Sequence, residues 1–198
     1  MSVKNILLQS LEKSAEIHKL QMEEFYPGLG NEGIHESNLI RILIQALQED
    51  CGYRNVVGWS ELSFLRRSRL DSGIKLIHKD AVILVEAKRI RQGKTRGTYN
   101  SKIALKQIVR DSGRLYDKER CESVVLRSKA ASLYRVLIAA VWLSNKPHMQ
   151  EAYARWMDGS AFHSDWKGDV VAETPEIWKG KSSSLKLLIA ISEVEKFK

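Results

Sequence analysis

The chain has 198 residues, enough for one domain with a sizeable core. A hydrophobic content of 43% with 28% charged residues excludes a wholly disordered protein. The formal net charge of +8 favours a polyanionic partner. Cys51 and Cys121 show neither metal-ligand nor disulfide spacing, so a reducing compartment is expected. The first twenty residues are too evenly charged for a signal peptide, and no apolar run nears the roughly 20 residues of a membrane span. A cytoplasmic protein is expected.

Residues 3 to 25 read as an amphipathic helix, with Leu7, Leu11, Ala15, Met22 and Phe25 at helical spacing. His18 falls on the same face and reads as a packed core residue. YPGLGNEG then breaks the chain. A second helix is expected from about His35 to Asp50, mostly buried through Leu39, Ile40, Leu43 and Leu47. Glu36 sits in its first turn on the apolar side. The helix dipole favours an acidic residue there whether or not it serves a site.

Three strand candidates follow: NVVGWSELSFL, RLDSGIKLI and AVILVEAK. The short polar HKD at 78–80 predicts a hairpin between the second and third. A helix from about Ser101 to Lys118 is expected next, with Leu105, Ile108, Val109, Ser112 and Leu115 on one face. Leu133 to Ser144 is apolar throughout and reads as a buried strand. HMQEAYARWM reads as a short helix, the segment from Asp158 to Ser184 as a long irregular loop, and LKLLIAISEVEKF as a last strand. No repeat, low-complexity tract or linker marks a domain boundary. The loop tryptophans Trp166 and Trp178, with Trp156 just before, read as anchors more than as base-stacking groups.

Residues two apart on a strand share a face. Glu86 and Lys88 therefore point the same way at the end of the most apolar strand, and the hairpin brings Asp71 toward Glu86. Two carboxylates held together call for a cation between them, and all-oxygen ligation suits Mg²⁺ or Mn²⁺. A neighbouring lysine can hold a water while the metal offsets charge developing on a phosphate. Basic residues flank this stretch. Arg66, Arg67 and Arg69 precede Asp71, and Arg89, Arg91, Lys94, Arg96 and Lys102 follow Lys88 with no acidic residue among them. A phosphate backbone would lie along them; a solvated charge run is the plain alternative.

RLD at 69–71 and EAK at 86–88, separated by fourteen residues, resemble the motif of the PD-(D/E)xK nuclease superfamily. The order helix, three strands, helix, strand over about residues 35–144 is similar to that superfamily's common core. The resemblance implies a restriction endonuclease-like α/β fold, a mixed sheet flanked by helices in a single nuclease-like domain. The N-terminal helix (1–30) and C-terminal extension (145–198) lie outside the core. It implies a metal-dependent DNA endonuclease using Mg²⁺, with Mn²⁺ substituting, in restriction, phage defence or mobile-element biology. By the same resemblance Asp71, Glu86 and the backbone carbonyl of Ala87 are metal ligands. Lys88 positions the water, and Glu36 serves a second metal. Gln107 is similar to a glutamine that some members carry near the site, although it lies opposite its helix's apolar face. Arg110 and Arg114 share that polar face and are candidate phosphate contacts. Leu70 stands where the nominal proline would be. A second triplet, DWK at 165–167, lies in a segment without strand pattern and is set aside.

Other readings remain at this point. A junction-resolving nuclease would use the same residues on a different substrate shape. An inactive or partner-dependent nucleic-acid-binding module would keep the fold, and an interaction domain would use Glu86 and Lys88 only to pair with each other. The residues do not distinguish DNA from RNA. Cutting both strands of a duplex calls for two sites, so a homodimer is expected.

Overall fold

The computed structural model describes residues 1–25, 35–63, 69–91, 94–95, 98–146, 150–166, 168, 170–180 and 183–194. In chain order these form α1 (Val3–Phe25), α2 (Glu36–Cys51), β1 (Val56–Ser63), β2 (Arg69–Leu76), β3 (Ala81–Ile90), β4 (Lys94–Thr95) and β5 (Thr98–Tyr99). Then come α3 (Asn100–Arg114), α4 (Lys118–Ser128), β6 (Ser132–Ser144), α5 (Glu151–Met157), β7 (Val170–Glu173), β8 (Trp178–Lys179) and β9 (Ser183–Val194). Among the described residues this is a mixed α/β fold, a seven-stranded mixed sheet flanked by five helices.

The sheet runs β1-β2-β3-β6-β9-β7, with β8 also paired to β9. β1, β2 and β3 form an antiparallel meander, whereas β3 and β6 are parallel and β6 and β9 antiparallel. The parallel step needs a crossover, which α3 and α4 provide. One turn of 3₁₀ helix at Ile77–Lys79 and a left-handed Asp80 (φ 47°) close the β2–β3 hairpin. The Asp80 carbonyl then accepts the N–H groups of Ala131 and Ser132, which seats the start of β6 beside β3.

β3 is central and buried from Ala81 through Lys88, which is why its sequence is apolar without alternation. β2, one strand nearer the edge, alternates buried and half-buried residues. Two apolar clusters fill the fold. One packs α1 and α2 against Val56, Ile74, Ile83, Val85 and Ala87. The other packs α3, α4 and α5 against Val82, Leu84, Leu137 and Ala139. Gly58 allows α2 to sit close on β1, because a Cβ there would stand 2.6 Å from Ile44 Cδ1.

The expected order of elements from 35 to 144 is observed, with differences that have physical causes. Phe25 is exposed, since it lies beyond Met22, the last residue of α1 in the core. The helix expected over 101–118 ends at Arg114, and α4 follows as a separate helix that the sequence reading did not include. Val109 is 38% exposed rather than packed on the apolar face of α3. The segment expected as an irregular loop contains β7 and β8, both paired to β9. Trp156 lies in α5 and is buried against Phe162, Trp166 meets Tyr116, and Trp178 packs on Trp142. These tryptophans anchor the C-terminal segment. No helix among the described residues is long and apolar enough to cross a membrane.

Candidate functional site

The β2–β3 ladder ends at the Ser72–Val85 pair, and beyond it the edge of β3 is open on the β2 side. Backbone N–H groups there need acceptors. Two carboxylates supply them. Asp71 Oδ2 accepts the Ala87 N–H at 2.8 Å, and Glu36 Oε1 accepts the Arg89 N–H at 3.1 Å. Strand alternation and the first turn of α2 thus bring Asp71, Glu86, Lys88 and Glu36 to one end of β3, the grouping expected from sequence.

Glu86 is fully buried. Its Oε2 accepts a hydrogen bond from Arg114 Nη2 at 2.7 Å, while Oε1 is buried without a hydrogen-bond partner. Burial first, then the neighbouring Asp71 carboxylate, pushes the Glu86 carboxyl up to about 9 against the pull of Arg114. The Asp71 carboxylate lies near enough to act on Glu86 electrostatically. A carboxyl held up by burial and a second carboxylate is one whose charged form an added cation would stabilise.

Lys88 is buried at 7% exposure. Its Nζ stands 2.9 Å from Asp111 Oδ2 and 3.6 Å from Glu36 Oε2. The Asp111 contact is short but poorly aligned for a hydrogen bond, since Oδ2 has no aligned donor; it is an ion pair. Burial alone would lower the Lys88 pKa, but Asp111, then Glu36 and Asp71, outweigh it and raise it. Lys88 is therefore held as the ammonium ion.

Asp111, on α3, is the residue that sequence reasoning missed. It is fully buried and meets three cations: Lys88, Arg110 Nε at 3.0 Å and Arg114 Nη2 at 2.9 Å from its Oδ1. A signal was present. Ala104, Ile108, Asp111 and Leu115 follow helical spacing, and all four are buried, so an aspartate on that stripe had to be paired inside. Arg110 and Arg114 share a face, and both reach Asp111 Oδ1, but Arg114 goes further than its neighbour. It turns inward onto Glu86 and Asp111, because two buried carboxylates there lack enough cations otherwise. The pairing of Glu86 with Lys88 expected for an interaction domain is not what forms: Glu86 pairs with Arg114 and Lys88 with Asp111.

Gln107 is exposed, as its position opposite the apolar face predicted. It lines a cavity of about 490 Å³ together with Glu36, Arg89, Arg91 and Ala104. Arg91, Lys102 and Arg110 are exposed and Arg89 is half-buried. Arg69 is exposed and paired with Glu61 at 2.9 Å. Arg66, Arg67 and Arg96 lie outside the described residues, as does the side chain of Lys94.

As the side chains stand, no three His, Cys, Asp or Glu residues among those described form a group that could hold a metal ion. The donor chemistry nevertheless fits a hard cation at Asp71 and Glu86. Both offer oxygen, and Glu86 Oε1 is a buried acceptor with nothing to accept. Comparison of the chain with protein-family models, with curated proteins and with solved structures finds no match in any of the three.

Proposed function

We propose that this protein is a metal-dependent nuclease with a restriction endonuclease-like fold, cutting phosphodiester bonds in DNA. One observation carries the reading. Asp71 and Glu86 meet at the end of a buried strand with a free, buried Glu86 Oε1, and the ammonium of Lys88 is fixed on the same face. The same residues carry the RLD…EAK resemblance. Four carboxylates, Glu36, Asp71, Glu86 and Asp111, face three cations, Lys88, Arg110 and Arg114. With the Glu86 carboxyl raised to about 9 and holding its proton, the three remaining carboxylates balance the three cations near neutral pH. A divalent cation displacing the Glu86 proton would leave the cluster one charge positive and attractive to a phosphodiester.

Asp71 and Glu86, with the backbone carbonyl of Ala87, would hold Mg²⁺ or Mn²⁺. The ion would supply charge for the phosphate and acidify a water. Hydrolysis adds water across one P–O ester bond: the attacking water would give its proton to bulk solvent, and the departing oxygen would take one from solvent. Lys88, kept protonated by Asp111, suits the orienting of that water and the stabilising of charge on phosphate oxygens. It does not suit proton abstraction. Glu36 steadies Lys88 and the β3 edge, and serves a second metal in this reading. Arg89, Arg91, Lys102 and Arg110 border the site and would meet backbone phosphates, in a cytoplasmic protein acting as a homodimer or with a partner subunit.

A second reading has its own observation. Glu86, Lys88 and Asp111 each have an ionic partner, as a structural network or an inactive nucleic-acid-binding module would also arrange. Cleavage of supercoiled DNA with Mg²⁺, Mn²⁺ or EDTA separates the two. The nuclease reading expects metal-dependent nicking lost in Asp71→Asn, which should retain the wild-type melting temperature and DNA affinity, and in Lys88→Gln, which should melt lower because it leaves the buried Asp111 short of a cation. DNA binding without metal-dependent cleavage by the wild type would favour the inactive module.

A further inference from the structure

Among the described residues β1 is an edge strand, paired with β2 alone. Its outward residues include Val57 and Trp59, which are 54% and 66% exposed. Trp142 and Trp156 are buried, and Trp166 and Trp178 are half-buried. Trp59 is thus the one tryptophan among them with most of its ring surface in water. Burying such a ring stabilises a complex by an amount large enough to dominate a small interface.

Its position is informative. Trp59 lies directly opposite Gly73, and directly opposed residues of an antiparallel pair share a face. A Cβ on Gly73 would stand 3.0 Å from Leu62 Cδ2, and Leu62 packs with the α3–α4 side of the core. Trp59 is therefore on the same side of the sheet as Glu86 and its α3 partners Asp111 and Arg114. Gly73 is two residues from Asp71 along β2. With ~3.3 Å per residue and ~4.8 Å between strands, the Trp59 and Asp71 backbones are roughly 8 Å apart. Glu61, between the Ser60–Ser72 and Leu62–Leu70 pairs, adopts φ 54°, uncommon for a residue other than glycine.

We infer that Trp59 is a stacking platform for an unpaired nucleobase next to the phosphate being cut, so that the substrate is single-stranded or locally unpaired nucleic acid. The inference rests on the nuclease reading for where the strand lies. A ring standing on a sheet edge can cover the face of one base only when that base is free of its own stack. The net charge of +8 and the exposed Arg91 and Lys102 bordering the site favour a phosphate-bearing occupant over an apolar protein surface. A flap, a junction or a bubble would present such a base; a continuous duplex would not.

The test uses the full chain in EDTA, where no cleavage occurs, and anisotropy of labelled oligothymidylate and of a duplex of equal length. Trp59→Ala is expected to weaken single-strand binding by about 5- to 150-fold, the worth of one stacked base. Trp59→Phe should retain most of the affinity, and duplex binding should shift less than about 2-fold for both. Wild-type tryptophan emission should fall on adding the single strand and change little in Trp59→Phe. Because Trp59 is exposed, both variants should keep the wild-type melting temperature. Unchanged single-strand affinity in Trp59→Ala overturns the inference. So does a dimer-to-monomer shift in that variant with single-strand affinity unaltered, which would assign the face to a second copy of the chain. The nuclease reading is judged separately by Mg²⁺-dependent cleavage. Binding through Trp59 without cleavage defeats that reading alone, and cleavage with Trp59→Ala binding like wild type defeats this inference alone.

Discussion

On the α1–α2 side of the sheet, His18 is buried with its Nε2 unpartnered. Burial, with help from Arg41, lowers its pKa to about 4, so it sits in the core as a neutral ring. On the α3 side, Lys88 and Asp111 are buried nearly as deeply and there charge is matched by charge, while the Glu86 carboxyl beside them is pushed up to about 9. Neutrality is the less costly way to bury a titratable group. A buried ion cluster is often no more stable than an apolar core of the same volume. The α1 side shows that this fold can accommodate a polar group without a charge network. The network at the end of β3 therefore asks for a reason other than stability, and phosphodiester chemistry is the reason we assign.

The contrast can be broken first at Asp111. Asp111→Ala leaves Lys88 and the inward Arg114 without their shared carboxylate. Urea unfolding should show a loss of about 3–5 kcal/mol, the usual cost of breaking a buried ion pair from one side. A loss under about 1 kcal/mol would mean that the cluster is more solvated than its burial states.

His18 sharpens the other half. Its folded pKa is below the value of about 6.5 for a free histidine, so the unfolded chain takes up a proton first on acidification. Stability is unaffected above about pH 6.5 and falls as the pH drops toward 4, by about 3 kcal/mol in all. His18→Leu should flatten that slope when unfolding is followed across the range. An unchanged slope would assign the acid sensitivity to another group.

The smallest effect is expected at the exposed Arg69–Glu61 pair. Arg69→Ala should change stability by less than about 1 kcal/mol. A larger loss would show that pairing, and not burial, governs these ionic contacts.

How much of this was legible in the sequence depends on how local the signal is. β3 could be read because a central strand is apolar on both faces, and the Glu86–Lys88 spacing of two places both on one side. Asp71 followed from the short hairpin connection. α4 could not be read so readily: KERCESVVLRS carries charges throughout, and only its packing beside β6 makes it a stable helix. β7 and β8 are four and two residues long and exist through pairing with β9. Asp111 and Arg114 look like solvated helix residues in isolation. Their inward roles arise because α3 is laid across the end of β3, a tertiary fact that becomes visible in the sequence only through the 104–108–111–115 stripe. Trp59 reads as an ordinary strand aromatic, and its exposure follows from β1 being the sheet edge.

The most direct test of the central claim is calorimetric titration of Mn²⁺ into the wild type, Asp71→Asn and Glu86→Gln, with melting temperatures recorded for each. The account predicts saturable binding by the wild type, weakened at least roughly 10-fold in either variant while the fold is retained. Equal binding by all three proteins, or none by the wild type, would contradict it and leave the charges at the end of β3 as a structural network.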